Sequence, residues 1–294
     1  MSGSTIDTTR ASSAAQRPRL TSGGAVRSEW IKLRTVRSTV WCYAIILALT
    51  VLFGILLANT FRGDGSGPMP AEAQQSFAIQ ATTLSIGFSQ LVASVLCVLV
   101  ISGEYGTGMI RSTFTAVPKR LPALFAKVIV FGLVTFVVAL VAIALTALVT
   151  GPMLPGVGIT PDFGDAQYLL ALGGGALYLA LIGVMSLAIG AIIRNSAGGI
   201  AAALGLLLVV PTVLQIFAAI TQATWAVNLA TFLPSNAGAR MYTYAAEGGV
   251  SSASPAGGDG GLISLSSLEG GLVLTAWVVV LLAVASLLVK RRDV

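Results

Sequence analysis

An all-α membrane protein with six transmembrane helices is the fold class this sequence predicts, and three observations predict it. The 294-residue chain is 55% hydrophobic with a mean hydropathy of +0.90, more apolar than a soluble fold of this length can bury. Six continuous apolar runs each reach the roughly 20 residues that cross the hydrocarbon core. Continuity excludes a β-barrel, whose strands alternate polar and apolar residues. The basic residues gather at the ends of those runs, where interfaces accept them.

Residues 1–24, rich in Ser, Thr, Ala, Gly, Arg and Pro, read as a disordered tail, and residues 25–294 as one transmembrane domain. The polar, basic tract 1–38 is too long for the n-region of a cleavable signal. In "VRSEWIKLRTVRSTVW" (26–41), Val26, Trp30 and Leu33 share one helical face, with Lys32 and Arg34 outside it. This reads as an amphipathic helix on the leaflet surface leading into the first span. A plain basic flank is the alternative, since Ile31 points elsewhere and Arg37 interrupts the stripe.

The spans are expected at about 39–60, 78–101, 124–150, 166–193, 197–219 and 270–289. Lys127, near the start of the third, is expected to snorkel to the interface. Glycines such as Gly173–Gly175 and Gly198–Gly199 lie inside spans, where they permit close helix packing. Between the second and third spans, "SGEYGTGMIRSTFTAVPKR" (102–120) gathers Glu104, Arg111, Lys119 and Arg120 in a chain only 10% charged. Gly103 is expected to end the second span and Thr107 to cap a short helix. Ile110, Phe114 and Val117 then give it a narrow apolar stripe at i, i+4 and i+7, and Pro118 stops it. Such a helix suits a partner's groove; a tight loop that merely carries interfacial charge is the alternative. The semi-apolar "TQATWAVNLATFLPSNAGARMY" (221–242) is too broken to span and reads as short or re-entrant helices, followed by the flexible loop "EGGVSSASPAGGDGG" (247–261).

Charge orients the bundle. Fifteen of the seventeen Lys and Arg residues fall on the side of the two termini, and only Arg62 and Arg240 lie opposite. The positive-inside rule therefore predicts both termini in the cytoplasm of a multi-pass plasma (inner) membrane protein. The acidic residues of the opposite loops, Asp64, Glu72, Asp162, Asp165, Glu247, Asp259 and Glu269, match no calcium-loop spacing and read as solvated charge.

Several function classes recede on composition. Histidine is absent, and with it the commonest general base and metal ligand. Cys42 and Cys97 both sit in apolar runs and form no metal or disulfide framework. No metal site or catalytic residue is assigned. The net charge of +6 flanks spans and forms no aromatic-interleaved stripe, so no nucleic acid is expected. The chain has no G-x-x-x-x-G-K-[ST] phosphate loop, so ATP chemistry through that device belongs to another chain.

"SEWIKLRTVRSTVW", "SGEYGTGMIRSTFTAVPKR" and "FLPSNAGARMY" together resemble the permease subunits of ABC-2 type transporters, in particular those of high-GC Gram-positive (actinobacterial) bacteria. The resemblance covers nearly the whole chain from about residue 25, and its middle motif is the most specific. It implies a bacterial exporter in which a six-helix subunit pairs with a second copy or with a related permease, most simply as a homodimer, and two separate ATPase subunits bind below with ATP and Mg. This chain itself would bind no cofactor. Residues 26–38, with Trp30, Lys32, Leu33 and Arg34, would form the connecting helix. The region 103–118 would form the coupling helix, with Glu104, Tyr105, Thr107, Gly108, Ile110, Arg111 and Phe114 at the ATPase. Tract 220–245 would form re-entrant outer helices. Gly106 departs from the polar residue common there, which bears on where the coupling helix starts.

The cargo expected is a lipophilic or amphipathic compound, whether a drug or a lipid. Thr82, Thr83, Ser89, Gln90, Thr212 and Gln215 in the second and fifth spans are candidates to line its cavity, or else hydrogen-bond partners between helices. Two other classes rank lower. A secondary transporter driven by an ion gradient needs intramembrane ionisable groups, and the six spans contain no acidic residue or histidine. Sodium held by carbonyls at a broken helix near Pro211 keeps that class open. An intramembrane enzyme lacks a cluster of Asp, Glu or His at membrane depth.

Overall fold

The computed structural model describes residues 22–60, 70–106, 120–244 and 261–291. Among them the secondary structure is helical throughout: α1 (Ser22–Thr35), α2 (Arg37–Thr60), α3 (Ala71–Thr83), α4 (Ile86–Gly106), α5 (Arg120–Thr150), α6 (Ala166–Ile193), α7 (Ser196–Leu204), α8 (Val210–Thr221), α9 (Thr224–Thr231), α10 (Pro234–Ala239) and α11 (Ser267–Arg291). Six helical stretches are long and apolar enough to cross a membrane, at Arg37–Thr60, Ala71–Gly106, Leu121–Gly156, Ala166–Ile193, Ser196–Thr221 and Ser267–Arg291. Each contains one of the six runs expected from composition, and the second extends furthest beyond its run.

Helix α6 is the hub and packs against α4, α5 and α11. Its sequence, "AQYLLALGGGALYLALIGVMSLAIGAII", intersperses Gly, Ala and Ser with large apolar residues. Small residues let neighbouring backbones approach where lipid offers no hydrophobic drive to pack. Tyr178, Leu179, Ile182 and Met185 are accordingly fully buried.

Two spans are broken. The second divides at Leu84 and Ser85 into α3 and α4. The fifth contains a π-helical turn, Gly205–Val209, between α7 and α8, just ahead of Pro211, which cannot donate a backbone hydrogen bond. On the side opposite the termini, Gln75 donates from Nε2 to the Asp162 carbonyl at 2.8 Å and accepts the Asp162 amide at 3.0 Å. Asp165, expected as solvated charge, caps α6 by accepting the Gln167 amide at 3.0 Å.

The tract before the last span folds as α9, α10 and a 3-10 turn, Arg240–Tyr242. Its seat requires glycine. A Cβ on Gly174 of α6 would lie 2.0 Å from the Met241 carbonyl oxygen, and one on Gly270 of α11 2.3 Å from that of Ala237. The Trp277 indole donates to the Phe232 carbonyl at 3.0 Å and closes the same corner.

Candidate functional site

At the end of the bundle that carries the termini, four charged side chains from three helices close into a ring. Helix α1 contributes Glu29 and Lys32, one turn apart. Glu104 comes from the last turn of α4 and Lys127 from the second turn of α5. Lys127 Nζ lies 2.6 Å from Glu29 Oε2 and 2.9 Å from Glu104 Oε1. Lys32 Nζ lies 3.0 Å from Glu29 Oε1 and 2.9 Å from Glu104 Oε1. Each carboxylate thus faces both ammonium groups, and the ring is neutral. The side chains of Lys127, Glu29 and Glu104 are only 4%, 5% and 13% exposed, against 33% for Lys32. Burying such charges is tolerable only because every one is paired.

The ring corrects two expectations. Lys127 does not snorkel outward: it is buried, with its ammonium 5.8 Å from the Phe131 ring centroid. Gly103 does not end the second span, because α4 runs on to Gly106 and so delivers Glu104 to the lysines. The expected apolar face of α1 also splits. Leu33 is buried beside Glu29, whereas Val26 and Trp30 face out of the chain. Glu29 was missed in the sequence because its partner Lys127 is 98 residues away. Its i, i+3 spacing to Lys32 and i, i+4 spacing to buried Leu33 were the available signals.

Burial pulls the Lys32 ammonium towards neutrality. Its hydrogen bond and charge contact with Glu104, and then those with Glu29, outweigh that and hold its pKa above the ordinary value.

Tyr105 supplies a second tie. The Arg194 guanidinium lies 5.1 Å from the centroid of its ring, within the range of a cation–π contact. Arg194 ends α6 in the left-handed region, at φ 58°, which a non-glycine residue adopts only when its surroundings hold it there. Its Nη2 reaches the Leu288 carbonyl of α11 at 3.4 Å. The last turn of α4 is therefore held to α1 and α5 on one side and to α6 and α11 on the other.

Residues 107–119 lie outside the described residues, and with them Thr107, Gly108, Ile110, Arg111 and Phe114. Both segments that enter and leave this tract carry ring members. Arg34 is exposed on α1.

The six proposed cavity residues separate into two groups. Thr82, Thr83, Ser89 and Gln90 are buried within the chain. Thr82 and Thr83 donate to the Ile79 carbonyl at 2.8 and 2.7 Å, while Gln90 accepts from the Tyr178 hydroxyl of α6. Thr212 and Gln215 are exposed on α8. Gln215 lines an outer cavity of about 620 Å³ with Gln222, Asn236 and Arg240. Among the described residues no group of His, Cys, Asp and Glu is arranged to hold a metal ion.

A model of the ABC-2 family transporter proteins matches residues 25–212, from α1 into α8. No curated protein matches the chain.

Proposed function

The chain belongs to the ABC-2 transporter family, and from that premise we propose that it is the membrane-spanning permease subunit of an ATP-driven exporter. A separate ATPase subunit, present in two copies, binds and hydrolyses MgATP. The observation that carries this reading is the charged ring, because it joins the segments on both sides of residues 107–119 to α1. An ATPase that pushes on that tract moves α1, α4 and α5 together, since the ion pairs resist separation. The Tyr105–Arg194 contact passes the displacement to α6 and α11. A rigid-body tilt of this kind alternates access to a cavity between permease copies.

The reading includes a homodimer in the plasma membrane with both termini cytoplasmic. Support for a partner copy comes from the second half of the fifth span, the π-helical turn and α8. Val209, Val213, Ile216 and Ile220 recur at helical spacing and are all exposed, and the span that contains them is buried over only 17% of its apolar window. A second copy on that stripe would set Thr212 and Gln215 beside the shared cavity. The cargo is a lipophilic or amphipathic compound or a lipid, in keeping with apolar walls broken by few hydroxyls and amides. Gradient-driven transport is less well supported, because Glu29 and Glu104 are each already paired with both lysines.

Reconstitution tests the proposal. Export into vesicles that requires an added ATPase subunit and MgATP, and persists without ion gradients, is the expected result. Transport by this chain alone on a proton or sodium gradient would overturn it.

A further inference from the structure

A second cavity, of about 350 Å³, opens beside the charged ring between α1, α2, α4 and α5. Its size falls within the range of about 300–1,000 Å³ typical of ligand pockets. Polarity changes along its length. At the end nearest the termini it is bounded by Lys32 and Glu104. Deeper in the bundle its walls are Val100 and Leu96, one and two turns back along α4, with Cys42 of α2 and Phe131 of α5. Val36 and Leu99 line it and are also exposed on the surface of the chain, so its mouth opens where lipid surrounds the bundle.

We propose that this cavity binds one anionic phospholipid from the leaflet on the side of the termini, with its phosphate at Lys32 and the start of an acyl chain between α2 and α4. The ring is neutral, so the headgroup is selected by the exposed ammonium of Lys32 together with the net positive charge of Arg34 and Arg37. Lys32 is the one ring member with substantial exposure, at 33% of its side chain. Its ammonium has three donors, of which Glu29 and Glu104 take two. A phosphate oxygen is the natural third partner. Arg34 and Arg37, both exposed at the joint of α1 and α2, add positive potential at headgroup depth. The apolar walls below suit a hydrocarbon chain and offer nothing to a free inorganic anion. The site needs only a bilayer around the chain and is independent of the direction or energy source of transport.

Cys42 reports on the site without modification of the protein, because Cys97 is buried. Its labelling by N-ethylmaleimide is compared in nanodiscs of phosphatidylcholine with and without phosphatidylglycerol. A Val40→Cys reporter in a Cys42→Ser background corrects for surface charge, since Val40 is exposed at similar depth. Relative to the Val40→Cys reporter, the lipid is expected to slow labelling of Cys42 about fivefold, the selectivity one basic residue gives an anionic headgroup. Lys32→Met removes the difference. If that variant does not fold, Leu99→Trp fills the mouth and leaves the four charges in place. Native mass spectrometry should then show loss of the phosphatidylglycerol retained by the native chain. Equal slowing at both positions, no slowing at Cys42, or undiminished retention in Leu99→Trp overturns the proposal.

Discussion

Lys127 and Glu29, 98 residues apart in sequence, meet at 2.6 Å in a buried ion pair that fixes α1 to the start of α5. Glu104 and Lys32 complete the circuit, so α1 is held by charge as well as by the insertion of Leu33.

Removing one member of this circuit should be far worse than removing a balanced pair. Glu29→Gln or Lys127→Met leaves a buried charge short of a partner, a defect of about 3–5 kcal/mol. Either should lower the melting temperature of the purified protein markedly. The double variant Glu29→Gln/Lys127→Met restores neutrality and should cost clearly less than the sum of the two. Strict additivity would show that the pair is not coupled.

Glu104 should transmit force and carry out no chemistry. Glu104→Ala is expected to reach the membrane, to lose transport, and to bind the ATPase weakly or leave its hydrolysis uncoupled. A charge reversal at Arg111 should act in the same direction. Normal transport and subunit copurification in both variants would mean that residues 102–120 are only a charged loop.

Neighbouring glycines should answer substitution in opposite ways. Gly174→Ala drives a methyl group into the Met241 carbonyl, whereas a Cβ at Gly173 meets nothing within 4 Å. The first should destabilise by about 1–3 kcal/mol through overpacking. The second should be neutral or gain about 0.5–1 kcal/mol from helix propensity. Thermal unfolding of the two variants makes the comparison.

The hold on α1 should be insensitive to mild alkali. Lys32 has a pKa above its ordinary 10.5, since its contacts with Glu104 and Glu29 outweigh the opposing effect of burial. A raised value means that the charged lysine contributes its full stability below 10.5 and loses it as pH climbs through the raised value. A spin label at Ile31→Cys, which is exposed, should stay equally immobile from neutral pH to that point and loosen above it. Loosening near neutrality would contradict the ring.

Topology can be read with an impermeant thiol reagent in a chain whose native cysteines are replaced. Cysteines at Ser66, Gly158 and Ser254 should label from outside intact cells, and one at Ser112 should not. Labelling at Ser112 would reverse the orientation.

Sequence alone determined the solvent and the number of helices long and apolar enough to cross it, because those depend on local properties: run length, hydropathy and charge at the ends of runs. The three quoted motifs also pointed to the family that the match over residues 25–212 establishes. Partner choice was not legible. Helix periodicity falls silent in the spans, where lipid-facing and protein-facing sides are equally apolar, so nothing marked α6 as the buried hub or α8 as the exposed helix. Lys127 read as an interfacial residue because its carboxylate partners lie 98 and 23 residues away. Glu29 read as one more charge on a basic helix. Only the tertiary structure brought these groups together, for a buried charge in an apolar bundle is stable only where folding supplies its counter-charge, and that supply is a long-range property of the packed chain.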